Sequence, residues 1–281
     1  MRVQRACPFY YVIFNTPSSL TIPFPKQGGR VKGMGAVIMQ IIYEDNHILA
    51  VSKTCHEIVQ GDKTGDEPLP ETLKRLIKER DQKPGNVFLG VTHRLDRPTT
   101  GVVLFAKTSK ALERLNRMFA EGEVHKTYWA IVPNVWGEDG GRRNVERSAD
   151  LTHYLVRNEQ QNRSYAYDTR EQALHMARNQ RDVKEARLHY QVIATTPRYA
   201  LVEVRLYTGR HHQIRCQLSH IGLCIKGDLK YGAPRSNPDG GISLHSRRAE
   251  FVHPVSKQDI TLVAPVPDDT LWKALEASIE A

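Results

Sequence analysis

With 281 residues, 40% of them hydrophobic and 25% charged, the chain can bury a sizeable core, and no stretch approaches the roughly 20 apolar residues that a membrane-spanning helix requires. Its four cysteines form no CxxC pair and have no zinc-ligand spacing, so the sequence predicts neither a metal centre nor a disulfide framework, and free thiols suit a cytoplasmic protein. The excess of 40 basic over 31 acidic residues, a net charge of +9, is as typical of a protein with a polyanionic partner as of an ordinary basic protein.

The first 38 residues differ from the rest of the chain, because they contain no Asp or Glu and show neither a helical nor a strand period. Pro8 and Asn15 interrupt their apolar stretch, and no clear small-residue cleavage site follows, so a secretory signal is disfavoured. We therefore expect residues 1–38 to be a disordered leader or an over-extended reading frame. After them, the stretch MQIIYEDNHILAVSK predicts a β-hairpin that turns at Asp45.

Helices and strands alternate in the next part of the chain. Leucine and isoleucine recur at helical spacing over residues 71–80. The apolar runs 87–91 and 102–105 predict two buried strands on either side of a polar loop. A helix with a threonine or serine cap follows and ends at Gly122, and HKTYWAIV then predicts another strand.

Residues 134–186 are polar and poorly periodic, so we expect an insertion or long exposed loops there. Order resumes in RLHYQVIAT and RYALVEVRLYTG, which predict two strands, and RHHQIRCQLSHIG predicts a helix that ends at Gly222. The remaining residues predict paired strands and a closing helix. Many strands with few interspersed helices indicate an α+β fold with a mainly antiparallel, mixed β-sheet core and flanking helices.

The charged loop THRLDRPTTG, residues 92–101, lies between the two predicted buried strands. It places Asp96 close to two arginines, Arg94 and Arg97. A carboxylate in this position is either a turn residue held by ion pairs or the functional group that the loop presents. The loop taken alone leaves both interpretations open.

Two further stretches carry side chains suited to act on a substrate. Tyr128 lies mid-strand in HKTYWAIV on the same face as Lys126, and is either a core tyrosine or an aromatic surface beside a cation. Arg215 lies at the border of the apolar face of its predicted helix, where a partly buried guanidinium needs a carboxylate such as Asp96. A surface arginine whose stem covers apolar atoms fits Arg215 equally well.

Four stretches together resemble the RluA-type family of RNA pseudouridine synthases. The family patterns are HRLDxxTSG, KxYxAxV, TGRxHQIRxQL with later Gly-Asp and Tyr-Gly pairs, and LHAxxLxFxHP with a later APxP. The chain matches them in the same order with HRLDRPTTG from His93, KTYWAIV from Lys126, TGRHHQIRCQL from Thr208 and LHSRRAEFVHP from Leu244. Thr100 and Ser246 stand where the family usually has Ser and Ala. Four motifs in the family's order over residues 39–270 are a specific indication of this family.

The resemblance implies a pseudouridine synthase catalytic domain over residues 39–281 and an RNA substrate. Many relatives carry an N-terminal S4-type RNA-binding domain, for which residues 1–38 are too short, so we expect none. The family reaction cuts the N-glycosidic bond of a uridine, rotates the uracil and joins C5 to the ribose C1′. Because nothing is oxidised and no group is lost, the resemblance implies neither a metal nor a cofactor.

The same resemblance assigns roles to individual residues. Asp96 corresponds to the catalytic aspartate, Arg215 to the arginine that pairs with it, and Tyr128 to the tyrosine that packs on the uracil. Arg94 corresponds to the residue assigned to fill the space that a flipped-out uridine leaves in the RNA. The other residues expected to bind RNA are Arg97, Lys126, Arg210 and His212.

Two other functions fit parts of the sequence. A non-enzymatic RNA-binding protein explains the positive charge, but not a carboxylate in a groove that faces phosphates. A carboxylate-dependent glycoside hydrolase needs a second acidic residue, for which the motifs offer only Asp228, and it would release free uracil. The sequence therefore predicts isomerisation of specific uridines in large-subunit ribosomal RNA, transfer RNA or both, by a cytoplasmic monomer.

Overall fold

A computed structural model describes residues 40–61, 65–137 and 145–280, so the expected leader, residues 1–38, lies outside the described residues. The described part contains five α-helices and eleven β-strands. The helices are α1 (Leu69–Arg80), α2 (Ser109–Glu121), α3 (Arg170–Met176), α4 (Gln213–His220) and α5 (Thr270–Glu280). The strands are β1 (Gln40–Glu44), β2 (Ile48–Lys53), β3 (Gly90–Val91), β4 (Thr100–Ala106), β5 (His125–Pro133), β6 (Ser148–Asn158), β7 (Arg163–Tyr167), β8 (Val183–Thr195), β9 (Tyr199–Leu206), β10 (Leu244–Val252) and β11 (Asp259–Val263).

The strands of the described residues form one mixed sheet in the order β1-β2-β4-β10-β5-β9-β8-β6-β7. Beside this path, β11 pairs with β10 and β3 pairs with β4. All of these pairs are antiparallel except β4 with β10, which run parallel. The predicted α+β fold with a mainly antiparallel, mixed sheet is therefore confirmed. None of the helices in the described ranges is long and apolar enough to cross a membrane.

Local signals for the first hairpin and for α2 are confirmed. β1 and β2 pair across the predicted turn, where the Asp45 carboxylate accepts two backbone N–H groups at 2.7 Å. The Thr108 side chain accepts the N–H of Ala111 at the start of α2, and Gly122 ends the helix with a φ of 78°. Glycine suits this left-handed position because it has no Cβ atom.

The apolar run 87–91 does not form the buried strand that its composition predicts. Only Gly90–Val91 pairs, with the last two residues of β4, and the Phe88 side chain is 46% exposed. An apolar run becomes a strand only where a neighbour has free hydrogen-bonding groups. In the antiparallel register of β3 with β4, residues 87–89 would lie opposite residues 107–109, which are beyond the end of β4 at Ala106, so they have no strand to pair with.

Of the two alternatives expected for segment 134–186, an insertion or long exposed loops, its described residues contradict the second. Its described residues include β6, β7, α3 and the beginning of β8, which extend the sheet beyond β9. β6 pairs with β8 from Ser148 to Val156. These strands lie at the end of the sheet and bury few side chains, so their hydrophobic alternation is weak.

Buried side chains fix the elements that carry the candidate site. One cluster packs α1 and α4 on one face of the central strands, and includes Ile214 and Leu218 of α4 with Val202 of β9. A second cluster packs α2 on the other face. The N-terminal end of α4 is thereby held beside the charged loop that connects β3 to β4.

Candidate active site

The ammonium group of Lys53 anchors the charged loop. The side chain is 1% exposed, and its Nζ donates to the carbonyl oxygens of Thr54 at 2.7 Å, Arg97 at 2.7 Å and Thr99 at 2.8 Å. The carbonyl oxygen of Asp96 lies 3.4 Å away. A single buried cation therefore fixes the backbone at and after Asp96. Sequence reasoning missed Lys53, because a strand lysine is ordinarily exposed.

The end of the loop is fixed where β4 meets β10. A Cβ atom on Gly101 would lie 2.2 Å from the backbone oxygen of Ser246, and the φ of Gly101 is 111°. Only glycine fits this approach. The neighbouring Thr100 Oγ1 lies 2.7 Å from His245 Nδ1. The Thr-Thr-Gly end of the loop motif is thus explained by the contact of two strands.

The carboxylate of Asp96 belongs to a network of three charged groups. Arg215 Nη1 donates to Asp96 Oδ2 at 2.9 Å, while Arg215 Nε and Nη2 donate to the two oxygens of Asp228 at 2.6 and 2.9 Å. The side chains of Arg215 and Asp228 are 5% and 1% exposed, whereas that of Asp96 is 30% exposed. The two supporting groups are therefore buried, and Asp96 is accessible from the cleft. Arg215 is not a surface arginine.

Asp228 does not supply the second acid that a glycoside hydrolase needs. It is not among the residues that line the cleft, and Arg215 separates it from Asp96. Both of its oxygens accept hydrogen bonds from the guanidinium group, so both are directed at Arg215 and not at a substrate. Its role is to hold the arginine that holds Asp96.

His212 contacts Asp96 from the N-terminal end of α4. Its Nε2 lies 3.5 Å from Asp96 Oδ2, and its Nδ1 lies 3.0 Å from the hydroxyl of Tyr231. The oxygen of that hydroxyl accepts a hydrogen bond from the backbone N–H of Ser164 at 2.9 Å. Among the described residues, His212 Nδ1 is the acceptor for the hydroxyl proton of Tyr231. Nε2 therefore carries the imidazole proton and directs it at Asp96. His212 is 8% exposed and lines the cleft next to Asp96.

Asp96 is ionised at neutral pH. Burial raises the pKa of its carboxyl group, but His212 and Arg215 outweigh burial, and the pKa lies below its usual value. Burial lowers the pKa of His212 to about 3, so this ring is neutral at pH 7 and directs the positive end of its Nε2–H dipole at Asp96. Arg215 supplies the positive charge. Burial lowers its own pKa, but its bonds to Asp228 outweigh burial and the pKa is raised.

Tyr128 lies on β5, between Ser246 of β10 and Val204 of β9, and lines the cleft. Burial raises the pKa of its hydroxyl to about 12, so the group is protonated at neutral pH. A protonated phenol is a poor proton acceptor. The ring is therefore better suited to pack against a base than to remove a proton.

Arg94 and Arg97 lie on either side of Asp96 at the cleft. Arg94 is exposed, and its Nη1 donates to Gln60 Oε1 at 2.7 Å. Arg97 forms an ion pair with Asp66. Of the two residues, Arg94 is exposed and Arg97 is half-buried.

Lys126 and Arg210 line the same cleft from β5 and from the segment before α4. The Lys126 ammonium lies 5.5 Å from the centre of the Phe119 ring, and burial lowers its pKa. Arg210 is exposed, and its Nε donates to the backbone oxygen of Glu185 at 2.9 Å. All five residues predicted to bind RNA thus line the cleft around Asp96, and His212 is the most buried of them.

The cleft around Asp96 has a volume of about 1240 Å³, which exceeds the roughly 300–1,000 Å³ of small-molecule pockets. Its acidic lining residues are Asp96 and Glu121. The basic lining residues outnumber them and suit a polyanionic substrate. They are Arg94, Arg97, Lys126, Arg157, Arg210, Arg215 and Lys230.

One group of side chains outside the cleft has the composition of a metal site. His153, Asp168 and His220 bring two ring nitrogens and a carboxylate oxygen within 4.8 Å of one another. Gln217 Nε2 donates to His153 Nδ1 at 3.0 Å and to the backbone oxygen of Ala186 at 3.1 Å, so the His153 proton is on Nε2 and faces Asp168. Hydrogen bonds account for this group, and we assign no metal to it.

Lys53→Met is expected to lower kcat by about 100-fold, because a misplacement of about 1 Å at a reacting group has this cost. Methionine fills the buried space but donates no hydrogen bond to the loop. Burial also lowers the pKa of Lys53 to about 8, and an amine that has lost a proton has one donor fewer. The activity of the unmodified protein is therefore expected to fall as pH rises through about 8.

The measurement is the pH profile of the activity that the resemblance implies, pseudouridine formation, on total RNA from cells that lack this chain. The residual activity of Lys53→Met is expected to show no decline above pH 8, and a decline at the same pH would contradict the anchoring role. Lys107→Met is the matched control, because this lysine contacts Glu44 and Asp45 on the same sheet, away from the cleft. The control is expected to lose stability but to keep kcat.

The fold and this cleft define an RNA pseudouridine synthase. The family model for RNA pseudouridylate synthases matches residues 47–220, which include the loop of Asp96, the strand of Tyr128 and the helix of Arg215. The chain belongs to this family. The resemblance inferred from the four motifs is therefore confirmed, and the protein is an isomerase that converts uridine in RNA to pseudouridine.

The regions of similarity to known proteins cover most of the chain. It is 30% identical to the tRNA pseudouridine synthase C of Vibrio parahaemolyticus over 268 residues, which cover 88% of this chain and 97% of that protein. It is 31% identical to the ribosomal large subunit pseudouridine synthase D of Xylella fastidiosa over 248 residues, 82% of this chain and 67% of that protein. The solved structure of human RNA pseudouridylate synthase domain containing 4 has the same fold, with a TM-score of 0.63 and 23% identity over 85% of this chain and 92% of that chain.

Proposed function

We propose that this chain isomerises specific uridines in structured RNA with Asp96 as the nucleophile. The observation that carries the proposal is a carboxylate that is ionised, held by Arg215 and accessible in a basic cleft. The chain is similar to one protein named for tRNA and to another named for the large ribosomal subunit, and this similarity supports those two RNA classes as substrates. A monomer that acts in the cytoplasm is part of the proposal.

The reaction needs few groups from the protein. The bond between uracil N1 and ribose C1′ breaks, the base rotates, and C5 bonds to C1′, while C5 loses one proton and N1 gains one. Asp96 attacks the nucleoside, and an ionised carboxylate is a competent nucleophile when it is positioned. Arg215 keeps it ionised, and the proton of His212 Nε2 limits its rotation.

The detached uracil must stay in the site while it rotates. Tyr128 offers a flat ring in the lining of the cleft, on which the base can turn without leaving. Because its hydroxyl is protonated at neutral pH, we assign it packing and orientation of the base. The surrounding arginines and lysines bind phosphates and hold the RNA during this step.

Arg94→Ala is expected to lower activity about tenfold or more on structured RNA and much less on an unstructured RNA that carries the same uridine. A uridine in a stem or ordered loop must leave its stack at a cost of a few kcal/mol, and a guanidinium can take its place. Arg94 is exposed at the cleft beside Asp96, which suits this role.

The measurement compares kcat/KM on the two RNAs for Arg94→Ala and for Arg117→Ala. Arg117 is an exposed arginine of α2 that does not line the cleft, so it controls for the loss of one charge. An equal loss on both RNAs would make Arg94 a phosphate contact, and the base-replacement role would be excluded.

The substrate is identified by mapping pseudouridine in all stable RNAs of cells that lack this chain. Sites that are absent from these RNAs and restored by the purified protein are its targets. The proposal expects them in large-subunit ribosomal RNA or transfer RNA, and release of free uracil, or restoration by the Asp96→Asn protein, would contradict it.

A further inference from the structure

A second basic groove lies beside the cleft, on the part of the sheet that extends beyond β9. It has a volume of about 1260 Å³ and is lined by β6, β7, the start of β8 and the segment that follows α3. None of the four sequence motifs falls in these strands. The motifs contribute to the groove only where it meets the cleft, through Gly209, Arg210 and His211.

The groove and the cleft are continuous. Arg157, Gly209, Arg210 and His211 line both of them. His211 lies next to His212, and the two rings stack with their centres 3.8 Å apart. A chain molecule that leaves the cleft past Arg157 and Arg210 therefore enters the second groove.

The charge of the groove suits phosphates. Five basic side chains face two acidic ones, Glu159 and Asp182. Four of the basic side chains take part in none of the ion pairs among the described residues, and they are exposed. They are Arg157, Arg178, Arg181 and Lys184.

Two aromatic rings lie among these charges. Tyr165 and Tyr167 of β7 line the groove and are half-buried. Arg163 lies over the ring of Tyr165, with 5.0 Å between the guanidinium carbon and the ring centre. Bases of a single strand stack on rings of this kind while its phosphates contact the cations, an arrangement common in proteins that bind single-stranded nucleic acid.

We infer that this groove binds the RNA strand that continues from the target uridine, with Arg178, Arg181 and Lys184 on its phosphates and Tyr165 and Tyr167 against its bases. The inference rests on the proposed function, because it assumes that RNA occupies the cleft. It gives the segment 145–186 a role in substrate selection: an RNA must present a free strand of the right length and direction beside its uridine.

The test measures binding of two oligouridylates, of about 30 and about six nucleotides, by fluorescence anisotropy over a range of salt concentrations. The groove variant removes three exposed charges and leaves every residue of the cleft in place. The control variant removes three exposed lysine charges outside both cavities. The groove variant is Arg178→Gln, Arg181→Gln, Lys184→Gln, and the control is Lys78→Gln, Lys110→Gln, Lys273→Gln.

The groove variant is expected to bind the longer RNA about tenfold more weakly than the control does. The slope of log K against log salt is expected to fall by about 2, since each phosphate contact on a single strand contributes about 0.7. Affinity for the short RNA, which the cleft accommodates, is expected to be equal in both variants. Equal affinities for the longer RNA, or an equal loss on the short one, would overturn the inference.

Two further outcomes separate this inference from other interpretations. Polyglutamate of similar length is expected to bind weakly, because it is itself an anion without bases, and tight binding would assign the groove to acidic protein segments instead. The binding assay involves no turnover. An active Asp96→Asn protein would therefore refute the proposed nucleophile, but the binding result for the groove could still be interpreted.

Discussion

Asp96→Asn is expected to reduce pseudouridine formation by at least about 10⁴-fold, a loss typical of removing an essential nucleophile. The amide keeps the shape of the side chain but does not attack. RNA affinity is expected to stay close to that of the unmodified protein, since removing a negative charge from a basic cleft does not weaken phosphate binding. Folding is expected to be retained, because Arg215 keeps both of its bonds to Asp228.

The assay uses purified protein and total RNA from cells that lack this chain, and it measures turnover and binding on the same RNA. Glu121→Gln is the matched control, because it removes one negative charge from the lining of the same cleft. The control is expected to remain active. Comparable turnover by the two variants would show that Asp96 is not the nucleophile. Inactivity of both would indicate that activity depends on the overall charge of the cleft and not on the Asp96 carboxylate in particular.

Arg215→Ala is expected to cost about 3–5 kcal/mol of stability, the usual penalty for removing one partner of a buried ion pair. It leaves both Asp96 and Asp228 without their shared guanidinium. The pKa of Asp96 is then expected to rise, because burial remains while the neighbouring charge is lost. A carboxyl group with a raised pKa takes up its proton at a higher pH. The acidic limb of any residual activity is therefore expected to move to higher pH.

Because Arg215 also binds Asp228, the stability expected for a variant that lacks the charges of both Asp96 and Arg215 is lower than for an isolated ion pair. With Asp96 as the only partner, the double variant Asp96→Asn, Arg215→Gln would leave no charge unpaired. Because Asp228 is buried and bound to the same guanidinium, the double variant still leaves one buried carboxylate alone. The triple variant that adds Asp228→Asn is expected to recover part of the stability, and to remain inactive.

Urea unfolding of the single, double and triple variants measures this coupling. Arg75→Ala is the control, since it breaks an exposed two-bond pair with Glu67 and is expected to cost less than about 1 kcal/mol. Free energies of unfolding that simply add would show that Arg215 is not energetically coupled to the two carboxylates, and the ion-pair network would then not stabilise the fold.

The elements with strong local signals were predicted from the sequence. The cap at Thr108 and the stop at Gly122 act within one turn of their own helix, so they define α2 without knowledge of the rest of the chain. The run 87–91 was predicted wrongly, because a strand also needs a free edge to pair with. The strands within 145–186 were missed because they bury little and therefore show a weak period.

The candidate catalytic groups were predicted from the sequence, through its resemblance to the family. Each of these groups lies in a short contiguous motif that can be found without knowledge of the rest of the fold. The motifs are the loop that carries Asp96, the strand that carries Tyr128 and the helix that carries Arg215. Four such motifs in order were enough to predict the family, the reaction and the α+β fold. The roles of these residues stay predictions until the variants are measured.

Only the tertiary structure decided what surrounds these groups. Lys53 reaches Arg97 across 44 positions of the chain, and Arg215 reaches Asp96 across 119. Buried polar groups of this kind follow no helical or strand period, because each is placed by the one partner that satisfies its hydrogen bonds and not by its neighbours in the sequence. For the same reason the sequence did not reveal Asp228 as the second partner of Arg215, the approach of His212 to Asp96, or the groove that continues the cleft.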